Sequence, residues 1–178
     1  IFVWGEMQTD PNFGNYLVRI SEKENEIDKL VLLDFGAIRQ FDYELLTIAH
    51  GLLKAGYYHD HQGMMKSMTG YEFFDSMSEK VSSDIANIFL LATEPFSDIA
   101  NNPDIPDEVL DDKQRYIWAN SHLHSRISAS ASTAMQSFEF NLPPKEFMFI
   151  SRKFIGAYTF LTVIDAHTDP DKLVKPFL

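Results

Sequence analysis

Two short polar clusters, separated by two apolar runs, constrain this chain more than any other feature. Thr9-Asp10-Pro11-Asn12-Phe13-Gly14-Asn15 comes first, and Leu32-Leu33-Asp34-Phe35-Gly36 second. Between them, Tyr16, Leu17, Val18 and Ile20, then Leu30, Val31, Leu32 and Leu33, have the apolar and β-branched character of strands. The spacing predicts strands over 16–20 and 29–33, joined by a hairpin turn over the polar stretch 21–28. Pro11 and Gly14 among polar residues predict a loop over 10–14, while residues 1–7 leave a helix end and a short strand both open. A lone hairpin is too small to be stable in water, so this pair is expected to pack on helices.

The polar residues stand where phosphoryl-transfer chemistry needs them. Asp10 and Asn15 have the Asp-x-x-x-x-Asn spacing of a phosphotransferase catalytic loop, and an Asp-Phe-Gly that follows such a loop is a metal-binding signature. Phosphoryl transfer requires held phosphates, a hard cation across them and an oriented acceptor. Asp34 at a strand end offers a carboxylate and Asn15 an amide oxygen, both suited to Mg²⁺. Asp10 stands where a general base or acceptor-orienting carboxylate is expected, and Gly36 permits a tight backbone exit after the metal ligand. Taken singly, each residue has a blander explanation: Asp10-Pro11 opens an Asx turn, Asn15 ends it, and Asp34-Phe35-Gly36 leaves a strand. The ordered set on one hairpin favours the chemical explanation.

Composition removes several other classes. At 178 residues and 45% hydrophobic, the chain has enough apolar material for one domain with a real core. A net charge of -11, from 15 Lys and Arg against 26 Asp and Glu, comes without a basic run interleaved with aromatics. Nucleic acid is therefore not an expected partner. The absence of Cys excludes disulfide scaffolds, thiolate zinc sites and thiol nucleophiles. No apolar run approaches the roughly 18 residues of a spanning helix, and the start lacks a basic signal-peptide region. The chain opens without Met on an apolar stretch leading into the loop, and is expected to be a fragment.

Beyond residue 42 the apolar period becomes helical. Asp42 is the expected N-cap of a helix with Leu45, Ile48, Ala49, Leu52 and Leu53 on its apolar face and Gly56 as its stop. Further helices are expected over 61–67, 76–93 and 108–126, with a break at Gly70 and an exposed loop over 96–107. The Ser/Ala-rich stretch 128–134 is compatible with helix or a flexible link, with helix favoured. Pro143-Pro144 should open a long helix to about Asp165, with Phe147, Ile150, Phe154, Tyr158 and Leu161 on one face. After Pro170 a short helix or coil is expected, and no fixed-period repeat is present.

Over residues 7–40 the sequence resembles the AarF/UbiB family of atypical, protein-kinase-like kinases. The Asp-Pro-x-x-x-Asn loop within 8–15 and the Leu-Asp-Phe-Gly strand within 32–39 carry the resemblance. Thr69-Gly70-Tyr71-Glu72 is similar to the branch tied to mitochondrial coenzyme Q. The resemblance implies an α+β, mostly helical, protein-kinase-like C-terminal lobe spanning 1–178 as a single domain. A small β-hairpin would bear the catalytic loop and Asp-Phe-Gly, and the N-terminal lobe would lie upstream of Ile1. It further implies ATP and Mg²⁺ as cofactors, Asp10 as the catalytic residue, Asn15 and Asp34 as metal ligands, and Gly36 beside the nucleotide. ATPase or small-molecule kinase activity in ubiquinone biosynthesis would follow, with isoprenoid lipid or quinone-biosynthesis proteins as partners. The implied location is cytoplasmic and peripheral to the inner membrane, or mitochondrial in a eukaryote.

The departures are equally informative. Gln8-Thr9 occupy the places of the His-Arg of ordinary protein kinases, Asn12 replaces a Lys that steadies the γ-phosphate, and no Ala-Pro-Glu follows Asp34. Activation-loop control and peptide phosphorylation are thus disfavoured. Aminoglycoside- and choline-type phosphotransferases share the Asp…Asn…Asp order but place His-Gly before the loop Asp. The small-residue phosphate loop, the strand Lys with its helix Glu, and the Lys-x-Gly-Gln element do not occur here, so these residues alone should not bind ATP tightly. A pseudokinase serving as a lipid- or protein-binding module is the alternative, and a hydrolase or metal enzyme unrelated to kinases is a third possibility.

Other candidates weigh less. His59-Asp60-His61, His122 and His124 fit solvated loops better than a metal chelate. The serines of 128–132 lack a Gly-x-Ser-x-Gly turn. Phe147, Phe149, Phe154, Tyr158 and Phe160 fit core better than a quinone pocket. For Arg39 a structural salt bridge is expected ahead of a phosphate contact.

Overall fold

The computed structural model describes residues 1–23, 28–135 and 145–178. Strands β1 (Glu6–Gln8), β2 (Tyr16–Arg19), β3 (Lys29–Leu32) and β4 (Ile38–Gln40) come first. Helices α1 (Tyr43–Tyr57), α2 (His61–Met68), α3 (Glu72–Asp75) and α4 (Glu79–Thr93) follow. Then come β5 (Tyr116–Ile117), α5 (Leu123–Met135), α6 (Lys145–Val163), β6 (His167–Thr168) and α7 (Pro170–Val174). Among the described residues the strands form three antiparallel pairs, β1 with β4, β2 with β3, and β5 with β6. The result is a helical body carrying small ladders, an α+β arrangement.

The two expected strands pair antiparallel, with Tyr16 opposite Leu32 and Arg19 opposite Lys29, while 24–27 of the turn expected over 21–28 lie outside the described residues. Residues 1–7, left open by the sequence, contribute β1, because Glu6 to Gln8 find pairing partners in 38–40. The packing of the hairpin differs from expectation. Its root touches α6, through ring contacts of Tyr16 and Phe13 with Phe160. Its outer residues, including Leu17, Val18, Ile20 and Leu30, are more than half exposed.

Local signals set most helix ends. Asp42, Asp60 and Ser78 cap α1, α2 and α4 with side-chain oxygens that accept backbone N–H groups at the open helix starts. Gly56, expected to stop α1, lies inside it instead. A Cβ there would fall 2.3 Å from Thr93 Oγ1, so glycine serves the close approach of α1 and α4. The helix expected over 108–126 is largely replaced by turns and β5, and α5 starts only at Leu123. Asp111 Oδ1 accepts from the N–H groups of Lys113 and Arg115, folding a tight turn that competes with helix. The 128–134 stretch is within α5. Pro143-Pro144 lie outside the described residues, and α6 is described from Lys145 to Val163.

Two apolar clusters hold the helices. One gathers Met64, Met68, Phe74, Val81, Ala86 and Leu90 from α2, α3 and α4. The other gathers Ile105, Val109, Tyr116, Trp118, Leu123 and Tyr158. Helix α6 spans both: Phe147 near its start packs on the first, and Tyr158 with Leu161 joins the second. The stretch between these anchors runs past the Asp10 loop.

Candidate functional site

The two polar clusters lie side by side because the strand pairs pin both ends of each. Beyond Gln8 opposite Ile38, the β1–β4 ladder continues with Thr9 N donating to Ala37 O at 2.9 Å. The Thr9 hydroxyl donates to the same oxygen at 2.9 Å, and Thr9 is buried. On the other side, the β2–β3 pairing continues with Leu33 N donating to Asn15 O at 2.9 Å. Residues 9–15 and 33–37 are thus held as neighbours.

Within the first cluster a single 3-10 turn, Phe13–Asn15, is capped by Asn12, whose Oδ1 accepts from Gly14 N at 3.0 Å. Asp10 closes the loop from the front. Its Oδ1 accepts from Asn12 N at 3.2 Å, and its Oδ2 accepts from Asn15 Nδ2 at 2.9 Å. The Asx turn considered as a bland alternative is therefore formed, and the Asp10–Asn15 pairing is formed with it. With its side-chain amide nitrogen committed to Asp10, Asn15 keeps a side-chain Oδ1 that takes no hydrogen bond among the described residues.

In the second cluster Asp34 Oδ1 accepts from Gly36 N at 2.7 Å, and the residue is exposed. Its second carboxylate oxygen takes no hydrogen bond among the described residues. Gly36, expected to permit a tight backbone exit, is not among the positive-φ glycines, which are Gly5 and Gly70. What its missing Cβ relieves is crowding, since that atom would lie 3.1 Å from Asp34 Oδ1.

Three participants escaped the sequence reading. Gln8 bridges the clusters: its Nε2 donates to the Asp34 carbonyl at 3.1 Å, and its Oε1 accepts from Asp10 N at 2.5 Å. Its position just before Thr9-Asp10 was the available signal. Tyr16 and Lys153 meet behind the loop, where Lys153 Nζ donates to the Tyr16 hydroxyl and, at 3.4 Å, to the Asp10 carbonyl. Lys153 lies far along the chain on α6, and no local pattern marks it. A cavity of about 620 Å³, mostly apolar, opens beside the loop between Pro11, Phe13, Met148, Ser151, Ile155 and Gly156.

The remaining candidates have other partners. Arg39 does not form the expected salt bridge among the described residues; its guanidinium lies 4.1 Å from the centre of the Phe149 ring. His59 Nε2 faces Asp104 at 3.0 Å, and His124 Nε2 faces the Thr159 hydroxyl at 3.0 Å. Phe147 packs with Tyr71, Phe73 and Phe74, and Tyr158 with Trp118. No group of three His, Cys, Asp or Glu side chains converges as a metal site among the described residues. No described helix is long and apolar enough to cross a membrane.

Comparison with known proteins agrees with the polar clusters. Residues 1–68 match the model of the ABC1 atypical kinase-like domain. The chain is 27% identical over 160 residues to a Caenorhabditis elegans protein named atypical kinase coq-8, mitochondrial, covering 89% of this chain and 19% of that one. It is 27% identical over 171 residues to atypical kinase COQ8, mitochondrial, of Saccharomyces cerevisiae, covering 95% of this chain and 30% of that one. A Dictyostelium discoideum protein named probable serine/threonine-protein kinase abkA is 25% identical over 159 residues, covering 89% and 26%. The chain thus spans less than a third of the length of these relatives. Residues 1–68, which hold both polar clusters, match the ABC1 atypical kinase-like domain, in agreement with the AarF/UbiB resemblance, and over most of its length the chain is similar to the COQ8 atypical kinases.

Proposed function

We propose that this chain is the metal-binding, C-terminal-lobe half of an atypical kinase or ATPase that uses ATP and Mg²⁺ and serves ubiquinone biosynthesis. The observation that carries the reading is the Gln8 bridge, which holds Asp10 N and the Asp34 carbonyl on one side chain. The donor set fits the ion. Mg²⁺ prefers oxygen ligands and is commonly held by one or two carboxylates together with substrate phosphates. Asp34 brings a carboxylate oxygen and Asn15 an amide oxygen, neither engaged elsewhere among the described residues. Bound with ATP, the ion supplies neutralisation of phosphate charge.

The chain's own residues divide the remaining work. Asp34 and Asn15 would hold the cation, the Asn15 amide being oriented by its bond to Asp10. Asp10 would orient an acceptor hydroxyl or water and take its proton. Gln8 and Thr9 keep the loop and the turn in register. The phosphate-gripping elements would come from sequence outside these 178 residues. A mitochondrial setting is in keeping with the names of the COQ8 relatives, and the AarF/UbiB resemblance adds an isoprenoid or quinone-biosynthesis partner and a membrane-peripheral location to the proposal.

The test uses the complete natural polypeptide containing these residues. Mg-ATP at about 100 times its Kd should stabilise the protein by about 2.7 kcal/mol. Asp34→Asn should remove that stabilisation and the ATP turnover, and EDTA should do the same to the parent. Undiminished Mg-ATP binding and turnover in Asp34→Asn would overturn the reading.

A further inference from the structure

We propose that Lys153 is a positioning residue for Asp10, acting on the loop from α6; the inference rests on the kinase-like reading above. The loop 9–15 contains no Lys or Arg, and Asn12 stands where a kinase loop lysine would be. Among the described residues, the cation that hydrogen-bonds to this loop comes from a distant helix. Lys153 Nζ donates to the Asp10 carbonyl at 3.4 Å and to the Tyr16 hydroxyl, and stands 5.0 Å from the centre of the Tyr16 ring.

Both ends of this contact are fixed by packing. Tyr16 leans on Phe160, with ring centres 5.8 Å apart, and Phe13 packs on the same ring at 5.6 Å. One turn beyond Lys153, Gly156 lets Pro11 lie directly against the α6 backbone. Lys153 itself sits between Phe147 and Tyr158, which anchor α6 in the two apolar clusters. The ammonium therefore grips the peptide of Asp10 from a rigid base, while the Asp10 carboxylate is turned toward Asn12 and Asn15.

The geometry assigns Lys153 two linked effects. It restrains the Asp10 backbone, and hence the direction of the carboxylate, through a long hydrogen bond to the Asp10 carbonyl made from an ammonium held by Tyr16. It also places positive charge behind the residue whose carboxylate is to act as base. Because the contact is to the Asp10 carbonyl and reaches the proposed metal ligand Asn15 only indirectly, through the Asp10 carboxylate, its loss should impair turnover far more than nucleotide binding.

Four proteins decide the matter, each as the complete natural polypeptide: parent, Lys153→Met, Lys153→Arg and Asp34→Asn. In Lys153→Met, kcat for ATP turnover should fall roughly a hundredfold, the scale of a misplaced catalytic group, with KM and Mg-ATP affinity within about twofold of the parent. Lys153→Arg, which keeps charge and reach, should recover at least about a tenth of parental kcat. A residue that only stabilised the fold would lower the melting temperature without this division between kcat and KM. If Lys153→Met does not fold, Lys153→Gln is judged by the same criteria. Parental kcat in the uncharged variant, with Asp34→Asn inactive, would overturn the Lys153 role and leave the kinase reading standing. Full Mg-ATP binding and turnover in Asp34→Asn would overturn the kinase reading itself, and the Lys153 role with it.

Discussion

Gly156 and Pro11 touch so closely that a Cβ on Gly156 would lie 2.1 Å from the Pro11 Cβ. This contact seats the Asp10 loop on α6. Gly156→Ala gains about 1 kcal/mol of helix propensity. Against it stands overpacking against a proline ring that has little freedom to move, which costs roughly 1–3 kcal/mol. Overpacking should win. Urea denaturation of the variant should show a net loss of up to about 2 kcal/mol, and a gain would mean that the loop moves away freely.

Gln8 offers a direct probe of the link between the two clusters. Gln8→Ala removes both of its hydrogen bonds, to Asp10 N and to the Asp34 carbonyl. Each such bond contributes about 1 kcal/mol. Turnover in the complete polypeptide should drop at least about tenfold as Asp10 and Asp34 lose their common register. Steady-state kinetics at saturating Mg-ATP would measure it, and an unaltered kcat would make the bridge dispensable.

The buried ion pair at the end of α4 should dominate stability far from the site. Glu94 is 3% exposed and receives both Arg126 terminal nitrogens, Nη1 at 2.7 Å and Nη2 at 2.5 Å, together with the Tyr116 hydroxyl at 2.7 Å. Burial, followed by the adjacent Glu94 charge, holds the Tyr116 hydroxyl protonated well above its ordinary range. Glu94→Ala strands Arg126 and that hydroxyl and should cost about 3 kcal/mol. The lower end of the usual range applies because Arg126 is 30% exposed and regains some hydration. Thermal and denaturant unfolding should agree on the loss.

Acid sensitivity should be concentrated at Asp111. Its Oδ2 meets His167 Nδ1 at 2.9 Å and Arg115 Nε at 2.8 Å. A carboxylate only accepts, so His167 Nδ1 carries the proton. The His167 bond, followed by those from the Arg115 and Lys113 segment, holds the Asp111 carboxyl well below the usual carboxylate range. A depressed native pKa gives stability that is complete above the unfolded value of about 3.9 and is lost as pH falls below it. Asp111→Asn should therefore flatten the acid limb of stability below about pH 4, measured by unfolding across pH.

The regular parts of the fold were legible where burial imposes a period. In α4 the helix expected over 76–93 is formed, with Val81 and Ile85 of its expected apolar face buried and Ala86 and Leu90 beside them in place of Ile88, Phe89 and Ala92, which are half-buried. The segment 108–126 was not legible, because its shape depends on remote partners. Tyr116 and Ile117 pair with Thr168 and His167, and Trp118 Nε1 donates to the Thr168 hydroxyl. Gly56 was misread for the same reason: its neighbour is Thr93 of another helix, not the end of its own.

Sequence by itself determined the order of the polar clusters, the apolar runs that become the hairpin, and the residue types suited to a hard cation. Those are properties of neighbours along the chain, set by pleat, turn chemistry and hydrogen-bonding capacity. Only the tertiary structure decided that Gln8 spans the two clusters, that β1 and β4 close around them, and that Lys153 and Gly156 of α6 support Asp10 from behind. The physical reason is that each of these contacts joins segments whose separation in sequence carries no period. The Lys153 and Gly156 contacts form because burial of Phe147 and Tyr158 docks α6 across both apolar clusters and brings its middle turns against the loop.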